Sequence, residues 1–386
     1  MTPSELRVRI RVLAGVPDYS AWTEVCALLD TMSDDTVRGH VEEIEAELGG
    51  WAPHLRVVPP RWVELLLTGQ RQPRAQLCRT LDLSGPLDRA DPWRALDSPD
   101  IAGITILGVG YCGLDEAAMP ELARRVARIG VHRLAVDGNH IGLGIAHLFQ
   151  LSRDGVLASI DATDCGLAAD GVLATIVADG VEIGLDELDL GINYLQPRHV
   201  EQIARIPGLD RVRRLGLGHN KFLAAGASVL AERAPLRGLR ELNLGGTQCG
   251  DVGVAALAAS PDLARLDTLS LASCQITDAG AASLAEAVSM AALRKLNLTF
   301  NRITAAGVRV LLDSTRLPAL AELELRNNEV ADDIVEVLDS PVRMARLSSI
   351  SLDDAWLSDG ARAALLASPR PGAALDLMFM REDDEP

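Results

Sequence analysis

At 386 residues, with 48% hydrophobic residues and a net charge of −17, the chain can bury a large core but is too acidic for a nucleic-acid partner. Phosphate binding needs a basic surface that releases counterions. No apolar run approaches the roughly 20 residues that cross a bilayer as a helix, and charges interrupt the apolar stretch of MTPSELRVRIRVLAGVPDYS, so we expect no membrane span and no secretion signal.

A cytoplasmic protein follows from that reading. The six cysteines show no CxxC spacing, which argues against structural zinc and against a disulfide framework. Only two of the 37 basic residues, Lys221 and Lys295, are lysines, and this arginine bias together with the abundant alanine points to a GC-rich bacterial genome. The acidity permits a basic protein partner and equally serves solubility.

Residues 1–74 predict a small helical domain. Trp22, Val25, Leu28 and Leu29 recur at helical spacing, as do Val41, Ile44 and Leu48, with Ser33-Asp34-Asp35 as a cap between the two segments. Gly49-Gly50 ends the second helix, and Pro59-Pro60 precedes a third over 61–67. Such a domain either caps a repeat array, whose end must be covered, or docks a partner.

From there one pattern recurs. A Leu-x-Leu pair falls at Leu81/Leu83, Leu107/Val109, Leu134/Val136, Ile160/Ala162, Leu188/Leu190 and Leu215/Leu217. The series continues at Leu242/Leu244, Leu269/Leu271, Leu296/Leu298, Leu323/Leu325, Ile350/Leu352 and a degenerate Leu375/Leu377. The steps are 26 to 28 residues until a final 25, a register that chance apolar spacing would not keep. Alternation of this kind marks a short strand with one buried face, and stacked copies make a parallel sheet.

Three residues after the second Leu the chain places Cys112, Asn139, Cys165, Asn193, Asn220, Thr247, Cys274, Asn301 and Asn328. A small polar side chain is needed there to bond backbone groups that the turn leaves without strand partners. Segments such as DVGVAALAA and AAGVRVLLDS follow, with apolar residues three and four apart, and predict helices packed behind the strands. We therefore expect an α/β leucine-rich repeat solenoid over 75–380, of about 11–12 repeats of 26–28 residues, with a concave parallel sheet and convex helices. A last strand, Leu375 to Met380, would cover the final coil, and 381–386 form an acidic tail.

Pattern and repeat length resemble the ribonuclease-inhibitor-like and cysteine-containing subtypes of the leucine-rich repeat superfamily. The resemblance implies a horseshoe, protein binding on the concave sheet or its adjoining loops, and no enzyme activity. Some relatives regulate small GTPases. Others are F-box adaptors, but nothing in residues 1–74 matches an F-box.

Competing motifs dissolve into the repeat. Gly108-Val-Gly-Tyr-Cys-Gly113 fits GxGxxG, yet Val109 and Cys112 are in repeat register, so a dinucleotide site is not expected. His132, His140 and His147 fall on different parts of one coil, and no metal, cofactor or catalytic residue is assigned.

The residues alternating with the buried pairs define the concave face. Asp161, Asp164, Glu187, Asp189 and Glu241 form an acidic group there, with Glu322 and Glu324 further on. Stacked carboxylates repel unless they are solvated or matched by a cation, so this group is the candidate surface for a basic partner. Tyr111 and Phe300 are candidate rim anchors in an aromatic-poor chain. The function these residues imply is a non-enzymatic protein-interaction scaffold. The alternative is a GTPase-activating regulator acting through Arg133, Arg214 or Arg326 near the concave edge. Oligomeric state and the partner's identity are not encoded in these patterns.

Overall fold

The computed structural model describes residues 3–13, 17–85, 92–353, 356–367 and 374–378. It contains two compact units, residues 1–165 and 166–386.

The first unit begins with helices α1 (Pro3–Leu13), α2 (Tyr19–Asp30), α3 (Asp34–Leu48) and α4 (Pro60–Leu67). The Asp18 carboxylate accepts the Ala21 amide at 2.7 Å and the Ser33 hydroxyl accepts the Thr36 amide at 3.3 Å, so α2 and α3 each start on a side-chain cap. Pro60 opens α4, where its fixed φ and missing N–H cost nothing. Large side chains lock this segment. The Trp22 indole donates to the Val57 carbonyl at 2.7 Å and that of Trp62 to Asp30 at 2.8 Å. The buried Arg56 guanidinium bonds Glu45 and the Leu77 carbonyl.

Strands β1 (Thr80–Asp82), β2 (Ile106–Gly108), β3 (Arg133–Ala135) and β4 (Ser159–Asp161) follow, each parallel to its neighbour in chain order. Leu81, Leu107, Leu134 and Ile160 stand directly opposite one another, in the register the repeat predicts. The outer edge of β1 is closed by the helical segment. Val58 donates to the Thr80 carbonyl at 2.9 Å and Arg79 to that of Arg56 at 2.8 Å, which removes an edge open to pairing.

The second unit repeats the plan with β5 (Glu187–Asp189), β6 (Arg214–Gly216), β7 (Glu241–Asn243), β8 (Thr268–Ser270) and β9 (Lys295–Asn297). It ends with β10 (Glu322–Glu324), β11 (Ser349–Asp353) and β12 (Ala374–Met378). The aligned residues Leu188, Leu215, Leu242, Leu269, Leu296, Leu323 and Ile350 are all buried. Each such side chain stabilises the coil by about 1.5–3 kcal/mol. The side chains expected to cover the last coil, and the tail 381–386, lie outside the described residues.

The polar ladder is built as its chemistry requires. Asn220 Oδ1 accepts the amides of Asn193 and Leu195, while its Nδ2 donates to the carbonyls of Leu190 and Leu217. Asn139, Asn301 and Asn328 bond likewise. At the cysteine positions the thiol donates to a carbonyl of the preceding coil: Cys112 to Leu83, Cys165 to Val136 and Cys274 to Leu244. Burial pushes the Cys112 thiol up to about 11 and that of Cys165 up to about 12, so both remain protonated and inert.

The helices behind the sheet are tied coil to coil by aspartates. Asp278, in α5 (Asp278–Ala285), accepts from the Thr304 amide, the Thr304 hydroxyl and the Gly307 amide at the start of α6 (Ala305–Asp313). A Cβ at Gly307 would sit 2.3 Å from the Asp278 carboxylate, so this contact needs glycine. Among the described residues no helix is long and apolar enough to cross a membrane.

Candidate protein-binding face

On each strand the flanking and central non-leucine residues face away from the helices. The position between the two residues of each buried pair shows a double use. Asp82 Oδ1 accepts the Ser84 amide at 2.9 Å, Asp161 that of Thr163 at 3.0 Å and Asp189 that of Gly191 at 2.9 Å. Asn243 and Asn297 make the same bond to Gly245 and Thr299. One oxygen of each side chain closes the turn that ends the strand, as Asp and Asn do in Asx turns. Asp161 and Asp189 are therefore partly architectural.

In the second unit the expected acidic residues come with cations. Arg214 on β6 reaches Glu187 on β5, and its other Nη lies 3.7 Å from Glu241 on β7. Lys295 on β9 lies 2.7 Å from Glu324 and 3.7 Å from Glu322, both on β10. Its ammonium is held above the ordinary lysine value, first by the hydrogen bond to Glu324. These pairs follow from a constant register that sets the residue before each leucine beside its counterpart one coil away.

Three aspartates on the first unit differ from these pairs. Asp82, Asp137 and Asp161 line one hollow of about 580 Å³ with Tyr111 and Arg133. Among the described residues, no basic side chain forms an ion pair with any of these three aspartates. Burial, and then the charges of Asp161 and Asp82, hold the Asp137 carboxyl above its ordinary value. Glycines make room for the acids: a Cβ at Gly108 would come 2.7 Å from Asp82 Oδ1, and one at Gly110 would come 2.4 Å from Asp137 Oδ1. Asp164 lies outside this lining, on the rim.

Sequence reasoning missed Asp82 and Asp137. The first occupies the same position between leucines as Asp161, in the first repeat. The second lies just after Val136, a position not counted as part of the face.

The rim has its own signature. Tyr111, Asp164, Ile192, His219, Ser273, Phe300 and Asn327 all adopt φ between +53 and +56, at the position just before the ladder residue. Asparagine, aspartate and glycine accept the left-handed region readily, whereas an aromatic or β-branched residue there is strained by about 1–2 kcal/mol. Tyr111 is 55% exposed and Phe300 59%. Tyr111 lies against Gly138 of the next coil and His219 against Gly246, positions where a Cβ would clash with the ring. A rim patch that the sequence did not single out comprises exposed Ile192, Tyr194 and Leu223, with the Lys221 ammonium 5.7 Å from the Tyr194 ring centroid.

Of the arginines considered for a regulatory role, Arg214 is engaged by Glu187 and Glu241, and Arg133 borders the acidic hollow. Gly108 ends β2 and Cys112 is in the ladder, so the GxGxxG segment is part of the repeat. Among the described residues no group of three or more His, Cys, Asp or Glu side chains is placed to hold a metal ion.

Comparison with known proteins agrees with this architecture. The family model described as "Leucine Rich repeat" matches residues 238–258, 266–285 and 291–312. No curated protein matches the sequence. The fold is similar to that of a chain in the crystal structure of a Rad7 and Elc1 complex in yeast, with a TM-score of 0.56 and 14% identity, covering 92% of this chain and 95% of that one. An internalin (inlF) from Listeria monocytogenes is less similar, with a TM-score of 0.47 and 18% identity over 80% of this chain and 82% of the other, and carries no argument. The chain carries leucine-rich repeats and has the leucine-rich-repeat fold.

Proposed function

We propose that this protein is a non-enzymatic interaction scaffold that binds a partner protein on the open sheet face and its rim. One observation carries the reading: the rim holds Tyr111 and Phe300 exposed, in a backbone conformation that disfavours them, where asparagine or glycine would build the turn at lower cost. Sites of recognition retain strain of this kind because the side chain is needed outside the fold. The acidic residues Asp161, Asp164 and Asp189 would set the partner's charge, favouring a basic surface over nucleic acid, with a smaller share from Glu187, Glu241, Glu322 and Glu324, which Arg214 and Lys295 already match. The cysteines in the ladder favour the cysteine-containing or ribonuclease-inhibitor-like subtype. We assign the helical segment 1–74 the role of a cap, supported by its pairing with β1, and place the protein in the cytoplasm.

The related crystal structure holds a complex of two proteins, which accords with this role. The test is site-directed photo-crosslinking in the native cell, with the crosslinker at Tyr111, at Phe300 and at the helix-borne Val252. Partner peptides attached at the first two positions and not at the third are expected. Crosslinks confined to Val252 would overturn the assignment of the face, and a recovered GTPase whose turnover rises on adding the protein would replace the scaffold with the regulatory alternative.

A further inference from the structure

We propose that the hollow on the sheet of the first unit receives an arginine side chain of the partner, carried beside an aliphatic residue that fills the adjoining hollow. The proposal rests on the scaffold reading and sharpens it to one place and one chemistry.

The lining of the hollow selects a cation. Asp82, Asp137 and Asp161 line about 580 Å³ of space, while Glu187, Glu241, Glu322 and Glu324 on the face of the second unit are matched by Arg214 and Lys295. Burial first, and then the charges of Asp161 and Asp82, raise the cost of ionising Asp137 in the hollow. A bound positive charge offsets that cost, so association gains what the free protein lacks. The floor is low, since Gly108 and Ala135 end β2 and β3 between the acids.

Shape favours arginine over lysine. A guanidinium is planar, can bond two carboxylates at once and stacks on an aromatic face, while an ammonium is a compact, strongly hydrated point charge. Tyr111 supplies that face on the rim.

The aliphatic neighbour follows from a second hollow of about 660 Å³, which shares Ile106 and Arg133 with the first. Pro53, Thr105 and Ile106 give it apolar walls, with the rings of His54 and His132 beside them.

The experiment pans a phage-displayed library of random dodecapeptides on the full-length chain. Enriched peptides are then synthesised and their affinities measured by fluorescence anisotropy. The proposal expects an arginine next to, or within a turn of, an aliphatic residue in the enriched set. It expects the triple variant D82N/D137N/D161N to bind these peptides at least tenfold more weakly, and citrulline in place of the peptide arginine to lose as much. Asparagine keeps the Oδ1 acceptor that Ser84 and Thr163 use, and thermal unfolding checks that the variant is folded. The helix-borne Glu336→Gln is the control for loss of one surface charge and should leave affinity within twofold.

An enriched set without arginine, an empty selection included, overturns the proposal, as does binding to the triple variant within twofold of the parent. Photo-crosslinking of the same peptides separates the two levels. Attachment at Phe300 alone would sink the first-unit site and keep the scaffold reading, whereas attachment only at Val252 would sink both.

Discussion

The sheet faces of the two units are built on one repeat but treat charge differently. In the second unit Glu187 and Glu241 flank Arg214, and Glu322 and Glu324 meet Lys295, so the face is largely self-satisfied. In the first unit Asp82, Asp137 and Asp161 share a hollow with no ion partner among the described residues. Identical architecture with opposite charge balance shows that the buried pattern does not constrain the face. Exposed residues are free to be tuned for stability in one place and for a partner in another.

The comparison assumes that the ladder does equal work in both units. Replacing Asn139 in the first or Asn220 in the second by alanine strands buried amides and carbonyls, and each change should cost about 3–5 kcal/mol in urea unfolding. Markedly unequal losses would mean that the units differ in their cores as well as on their faces.

A smaller effect is expected at Arg214. R214A removes the cation that lies between Glu187 and Glu241, and should destabilise by about 1 kcal/mol at low salt, less at high salt. No loss at either ionic strength would show that the second face is no better balanced than the first.

The opposite sign is predicted at Asp137. Its carboxyl has a raised value in the folded state, so folding weakens as pH climbs from the ordinary aspartate value of 3.8 through the raised one. D137N should therefore stabilise the protein at neutral pH, and the gain should vanish below the ordinary value, where both states are protonated. For Lys295 the folded value is also raised, but it belongs to a cation. Its contribution is complete below the ordinary lysine value of 10.5 and fades as pH rises through the folded one. Chemical denaturation across pH, with D137N and K295M as paired probes, would resolve an acid limb from one unit and an alkaline limb from the other.

The smallest effect concerns the rim. Tyr111→Asn and Phe300→Asn place a residue tolerant of the left-handed region and should raise stability by about 0.5 kcal/mol each while weakening partner binding. A loss of stability would show that the rings support the coil and are not held out for a partner.

Much of this was legible in the residues alone. The Leu-x-Leu register matches the strand alignment from Leu81 to Ile160 and from Leu188 to Leu375, because a side chain that must be buried in every coil can recur only at the coil's own period. Asn139, Asn220 and Asn301 could be assigned to backbone bonding because few side chains both donate and accept in so small a space. The α1 helix was not foreseen, since only Leu6 and Ile10 of its apolar residues are buried and the charges between them hide the period.

The sequence by itself thus determined the coil, its ladder and its helices, since those depend on short-range periodicity and on which side chains water excludes. Only the tertiary structure decided which acids stand alone. Whether Glu187 meets Arg214, or Asp137 meets Asp161 and Asp82 across glycine and alanine, depends on side-chain reach between coils some 27 residues apart, and electrostatic interaction follows distance in space and not order along the chain.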